Sequence, residues 1–341
     1  MAASTYKCAN CGGYLAFDPQ TQKWKCPFCD SLFDEQTILA NEAPAQAPKS
    51  AQQLFYRCQN CGSEIMTDET TAATRCYFCH SPVVLHDRLD DEFRPDGVIP
   101  FQLDKDAARQ KFIEFVAKKK FIDRSFFSDD QLEMFSGVYY PYWYADVEGE
   151  ASFEGEGTNV STTTTPTHIV TTTRVLDVKR KGNISLRNLA RKALNKVDGK
   201  LADGIHPFDC SGVKPYASGY LSGFLAEKRD IEKNAASDSM INEARNHAEE
   251  LIKRGHSFNS LKGETTFKTK KIDARYVLLP TWVLTYPNKQ KKDDPYYYAM
   301  NGCTGEVCGK LPIDKKKLYF NGLLLGAAVF VIACLVSYFL F

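Results

Sequence analysis

YKCANCGGYLAFDPQTQKWKCPFCDS, residues 6–31, and YRCQNCGSEIMTDETTAATRCYFCHS, residues 56–81, are two copies of one pattern offset by 50 positions. Eight of the 12 cysteines lie in them as four Cys-x2-Cys knuckles: Cys8/Cys11, Cys26/Cys29, Cys58/Cys61 and Cys76/Cys79. In each copy 14 residues separate the two knuckles, and 11 of the 26 aligned positions are identical. An internal repeat of this kind reads as one small unit used twice.

Two thiolates on a tight turn, a short hairpin and a second such turn close a tetrahedral tetrathiolate shell around Zn2+. Gly12 and Gly62, directly after the first knuckles, supply the left-handed backbone that such turns need. A unit of about 30 residues buries too little apolar surface to fold alone, and a structural zinc contributes on the order of 10–16 kcal/mol. The sequence therefore predicts two structural zinc ribbons, with ligands Cys8, Cys11, Cys26 and Cys29 in the first and Cys58, Cys61, Cys76 and Cys79 in the second. A disulfide framework is disfavoured because Met1 to Tyr14 carries no secretory signal, and redox CxxC pairs would sit beside a βαβ pattern. His80, next to Cys79, is expected at the surface. With all four positions filled by protein, no open site remains to activate water.

Working outward, 43 Lys plus Arg against 42 Asp plus Glu exclude a surface built wholesale for phosphate. Residues 1–85 hold six cations against eight carboxylates, and Asp87 to Asp96 adds negative charge. Nucleic acid is thus disfavoured as a partner, although Trp24 and Tyr77 offer rings that can stack on bases; Phe28 and Phe78 are expected in the ribbon cores. Between the ribbons, ANEAPAQAPKSAQQ (40–53) reads as a flexible tether with a reach of roughly 20 Å, so the ribbons are expected to move independently.

At the other end, LYFNGLLLGAAVFVIACLVSYFLF (318–341) is uncharged. At about 1.5 Å per residue it spans roughly 36 Å against a hydrocarbon core of about 30 Å. Lys310, Lys315, Lys316 and Lys317 precede it, so the positive-inside rule places the bulk of the chain in the cytosol. The expectation is a single-pass tail anchor in the inner, cytoplasmic membrane. Gly322 and Gly326 form a Gly-x3-Gly spacing through which two copies can pair as a homodimer, and Cys334 reads as a small hydrophobe.

The middle of the chain reads as an α+β domain. Val98–Leu103 is predicted as a strand and Asp104–Lys120 as a helix burying Ala107, Ala108, Phe112, Phe115 and Val116. Gly137–Glu150 and the threonine-rich Ser161–Val178 read as β. Ile184–Leu201 and Asn234–Arg254 are predicted as amphipathic helices. The first of these is ringed by Lys179, Arg180, Lys181, Arg187, Arg191, Lys192, Lys196 and Lys200, and is a candidate for contact with anionic lipid. Phe267–Tyr286 is read as two strands and Tyr296–Gly309 as a hairpin turning at Asn301-Gly302. No phosphate-binding loop, His-Glu-x2-His or Gly-x-Ser-x-Gly occurs, so no enzyme is expected. His206 with Cys210, and Cys303 with Cys308, read as ordinary residues rather than catalytic or metal-binding pairs.

The tandem ribbons, the segment YVLLPTWVLTY (276–286), the hairpin YYYAMNGCTGEVCGKLP (296–312) and the terminal apolar helix together resemble a bacterial family of TFIIB-type zinc-ribbon membrane proteins, over essentially the whole chain. The resemblance implies phage-shock-type partners, a PspA-like membrane-remodelling protein and an SPFH-domain protein, and a role in envelope stress or membrane maintenance. From the family only the eight ribbon cysteines carry over. The expectation is a multidomain chain: zinc ribbon 1 at 1–35, a linker at 36–54, zinc ribbon 2 at 55–85, an α+β domain at 98–313 and a transmembrane helix at 318–341. Its expected role is a non-enzymatic membrane adaptor whose ribbons recruit proteins, with a membrane-tethered nucleic-acid or transcription-linked binder as the alternative.

Overall fold

The structure is a computed structural model that describes residues 3–4, 6–40, 55–76, 79–85, 88–89, 91–122, 132–196, 204–286 and 296–340. Most of the expected linker, the rings of Tyr77 and Phe78, and the end of the expected basic helix (197–201) lie outside the described residues.

The first cysteine module comprises β1 (Ala3–Ser4), the three-stranded meander β2 (Ala16–Asp18), β3 (Lys23–Lys25) and β4 (Leu32–Phe33), and α1 (Glu35–Ala40). The second comprises β5 (Phe55–Arg57), β6 (Glu64–Met66), β7 (Thr71–Arg75) and β8 (Pro82–Leu85). Neither module stands apart. β7 and β8 belong to the main sheet, where β7 pairs with a body strand, and β1 pairs antiparallel with β8 through Ala3–Leu85 and Ser4–Val84. The first module seats its own core on the body. The Trp24 indole N–H donates to the Gly219 carbonyl (2.8 Å), Phe17 N–H donates to Ser222 O (2.9 Å), the Ser222 hydroxyl donates to Leu15 O (2.6 Å), and the Tyr6 and Ser218 hydroxyls meet. Trp24, Phe17 and Tyr220 form an aromatic triangle with centroids 5.1–5.2 Å apart. The expected independent motion of the two ribbons is therefore corrected, because each ribbon completes its apolar burial or its strand pairing on the body.

The body begins with β9 (Gly97–Val98) and α2 (Lys105–Ala117); Asp104 caps α2 by accepting from Ala107 N–H at 2.7 Å. Ala108, Phe112 and Val116 are its buried face, as the periodicity required. Of the strand expected at Val98–Leu103 only Val98 is in one. Three very long strands follow: β10 (Ser136–Thr164), β11 (Ile169–Lys192) and, after β12 (Lys214–Pro215), β13 (Leu225–Glu227) and α3 (Lys233–Lys253), β14 (Ser260–Tyr286). β10 lies between β11 and β14, both antiparallel to it. At about 3.3 Å per residue β10 runs roughly 95 Å, so the sheet continues far beyond the body as a projecting arm. α3 lies across one face of that arm through Ala236, Met240, Ala244 and Ala248. The other face carries Glu148, Glu150 and Glu154 flanked by lysines, with Lys181 to Glu150 at 3.0 Å and Lys179 to Glu154 at 3.4 Å. Beyond the end of β14, Val160, Ile169 and Val170 of the two-stranded tip are exposed.

The region expected as the amphipathic helix Ile184–Leu201 is strand β11 up to Lys192. A register shift between Ala145 and Val147 of β10, with Asn188 at φ 57°, inserts a bulge in β11. The bulge turns the two-residue alternation Ile184, Leu186 into a three-residue step to Leu189, which imitates helical spacing. The second expected helix is present as α3. Phe267–Tyr286, read as two strands, belongs to the single strand β14.

β15 (Tyr296–Asn301) and β16 (Val307–Lys310) form the expected hairpin against the end of β14. Asn301 is fully buried and uses its whole amide: its Nδ2 donates to Ile205 O and Pro207 O (2.9 and 3.0 Å), and its Oδ1 accepts from Cys303 and Thr304 N–H (2.8 and 3.1 Å). The chain then enters α4 (Lys315–Leu340), whose apolar residues are exposed on every side.

Candidate metal centre

In each module the four knuckle sulfurs converge, all within 4.8 Å of one another. Cys8 and Cys29 Sγ are 3.6 Å apart, Cys11 and Cys26 3.5 Å, Cys58 and Cys79 3.7 Å, and Cys61 and Cys76 3.6 Å. A tetrahedron with metal–sulfur bonds of about 2.3 Å has edges of about 3.8 Å, whereas a disulfide brings sulfurs to about 2.05 Å. The donor set thus fits a four-coordinate thiophilic ion and not a cross-link.

The four knuckles are built alike. The first cysteine of each accepts a backbone hydrogen bond that closes the turn: Gly12 N–H to Cys8 O, Asp30 to Cys26, Gly62 to Cys58 and His80 to Cys76, at 2.8–2.9 Å. The donor residue is left-handed in all four, with φ 74° at Gly12, 77° at Gly62, 56° at Asp30 and 57° at His80. His80 is exposed and serves the turn, as a surface residue. Across each pair of knuckles an amide spans to a serine: Asn10 Nδ2 donates to Ser31 Oγ (2.8 Å) and Asn60 Nδ2 to Ser81 Oγ (2.9 Å). These bridges account for repeated identities that cysteine spacing alone leaves without a role.

The electrostatics of each cluster suit a cation. The hydroxyl and backbone of Ser31 draw the Cys29 thiol down to about 6. Burial pushes Cys79 up, but the Asn60 amide and Ser81 outweigh it and bring the thiol to about 5. A backbone bond from Gly13 favours the Cys11 thiolate, yet the neighbouring sulfurs Cys26 and Cys29 carry it up to about 12; burial and the sulfurs of Cys79 and Cys61 do the same to Cys58. Four thiolates at this spacing ionise together only around a positive ion.

Other sequence candidates are placed plainly. Trp24, offered as a stacking ring, is 1% exposed in the dock against Gly219, while Phe28, expected in the ribbon core, is 67% exposed beside Tyr14. The sequence could not distinguish them, because the surface that covers Trp24 comes from residues almost two hundred positions away. His206 and Tyr144 are in contact (Nδ1 to OH, 3.4 Å), and burial pushes the Cys210 thiol up, which opposes a nucleophilic thiolate. Cys303 is pushed up to about 12 by its burial. Gly322 and Gly326 have open space around them on α4.

Fold and site together define a chain with two four-cysteine clusters, an α+β body and a C-terminal apolar helix. No family model and no solved structure matches it. The chain is 34% identical over 328 residues to the uncharacterized protein YdjG of Bacillus subtilis (strain 168), a match that covers 94% of both chains. It belongs to the family of that protein.

Proposed function

We propose that this chain is a non-enzymatic membrane adaptor: two structural zinc ribbons, held on the α+β body, recruit proteins to the cytosolic face of the inner membrane, where α4 anchors it. PspA-like and SPFH-type proteins are the proposed partners, in envelope stress or membrane maintenance. The observation that carries the reading is that both cysteine shells are complete on protein ligands alone, in a chain that also has a helix long and apolar enough to cross a membrane, Lys315–Ser337, whose most apolar 18 residues have mean hydropathy 2.3. A closed tetrathiolate shell serves as scaffold and leaves no coordination position for substrate. The exposed Phe28 and Leu32 give the first ribbon an apolar contact patch.

The test is cross-linking in bacterial membranes followed by identification of the retained proteins, comparing wild type with a Phe28→Ala, Leu32→Ala variant that leaves both sets of cysteine ligands intact. Loss of PspA-like or SPFH-type proteins in the variant supports recruitment through the ribbon. Unchanged capture sinks the recruiting role, and recovery of nucleic acid with a steep salt dependence promotes the transcription-linked alternative.

A further inference from the structure

A cleft of about 310 Å³ opens where both cysteine modules meet the body. Phe17 from the first module and Phe135, Phe224 and Trp282 from the body line it, and Glu133 and Ser136 belong to its polar lining. The rings are buried and mutually packed, with Phe135 stacked on Trp282 at 5.6 Å and Phe224 against Trp282 at 6.1 Å, so that wall is preformed. Two cations also line it, Arg75 from β7 and Lys105 from the first turn of α2.

Among the described residues, Arg75 donates to the Gly223 carbonyl (2.7 Å) and Lys105 to the Glu133 carbonyl (3.2 Å), and no carboxylate forms an ion pair with either. The repeat explains how Arg75 came free. Its counterpart in the first module, Lys25, pairs with Asp30 at 2.9 Å, and the residue aligned with Asp30 in the second module is His80. Burial, then the charges of Arg75 and Arg109, hold the Lys105 ammonium below the ordinary lysine value, outweighing Glu133 and Asp106. Like charges with no carboxylate partner among the described residues are stabilised by an arriving anion, and planar guanidinium favours carboxylate.

We infer that this cleft is a binding site for an acidic peptide segment of a protein partner, its carboxylate held by Arg75 and Lys105. This rests on the adaptor reading, and it adds a second contact, at the junction of the modules, to the apolar patch on the first. The volume lies at the small end of ligand clefts, of a size for a short acidic stretch rather than an extended surface.

The experiment uses the full chain in phosphatidylcholine nanodiscs with both metals bound, and fluorescence anisotropy of labelled acetyl-Gly-Asp-Phe-Asp-Phe-Gly. Saturable binding is expected, weakened at least about tenfold when both Asp are replaced by Asn in the peptide and by a similar factor in the Arg75→Gln, Lys105→Gln variant. Should that variant lose metal or melt early, Lys105→Gln alone gives the same test from a first-turn helix position. Equal affinity for the Asn peptide or unchanged affinity in the variants overturns the assignment. Failure here leaves membrane capture through Phe28 and Leu32 untouched, whereas failure of that capture leaves this titration standing, so the two readings fall separately.

Discussion

Gly219 shows how much one position carries. A Cβ there would stand 2.6 Å from Ile38 Cγ2 and 3.2 Å from the Trp24 ring nitrogen, so only glycine lets the first module close on the body while its carbonyl takes the indole N–H. Gly219→Val is expected to cost about 1–3 kcal/mol and to open the dock without touching either sulfur cluster. Hydrogen exchange should then rise across 6–38 while metal content stays unchanged; unaltered protection there would contradict the docked arrangement. The two sulfur clusters are legible in the sequence because their spacing is a local property: each knuckle closes on its own left-handed residue. The burial of Trp24 is not, because indole is equally compatible with a stacking surface and a dock, and the deciding contact is with Gly219. Arg75 is equally silent, since its meaning depends on His80 standing where the first module has Asp30 and on Lys105 arriving from another element.

At the scale of elements, the two modules are attached by different physics. The first shares an apolar core with the body, in which Tyr6, Phe17, Trp24 and Ile38 belong to the same cluster as Tyr220 and Phe224. The second keeps its own core of Tyr56, Ile65, Val83 and Leu85 but lends β7 and β8 to the main sheet. Lys196 ties it down further, reaching Asp68 at 2.9 Å and Glu227 at 2.8 Å. Loss of metal from the second module should therefore propagate into the sheet. Cys58→Ser is expected to lower the main thermal transition of the whole chain, and Cys8→Ser to produce a separate low-temperature transition of the first module with the main one kept. Calorimetry of both variants checks this, and identical thermograms would refute the asymmetry. The helices α2 and α3 are readable from spacing because each buries a face at every third or fourth residue. β11 reads as a helix in sequence for a definite reason: the bulge at Asn188 shifts the phase of a two-residue alternation, and a phase shift in a strand looks like a turn of helix.

For the molecule as a whole, α4 is the element on which the proposed membrane location depends. Removing residues 315–341 is expected to move the protein from the alkaline-carbonate-resistant membrane fraction to the supernatant, with both metal sites retained; persistence in the pellet would assign membrane attachment to another surface. Register places this helix and the arm tip at opposite ends. β14 meets β15 at Thr281–Tyr286, beside the start of β10, while its other end at Ser260 faces Thr158 near the tip. Composition and spacing by themselves determined the two four-cysteine clusters, the apolar helix, the α+β character of the middle and its Asn301 hairpin, because each is specified within a few turns of chain or by a run of like residues. Only the tertiary structure decided that the modules are fused to the body, that the sheet extends into an arm, and that Arg75 and Lys105, without an ion pair among the described residues, share a cleft. Those features arise from pairings between residues far apart in sequence, and no local pattern encodes which distant surface a strand edge or an indole will meet.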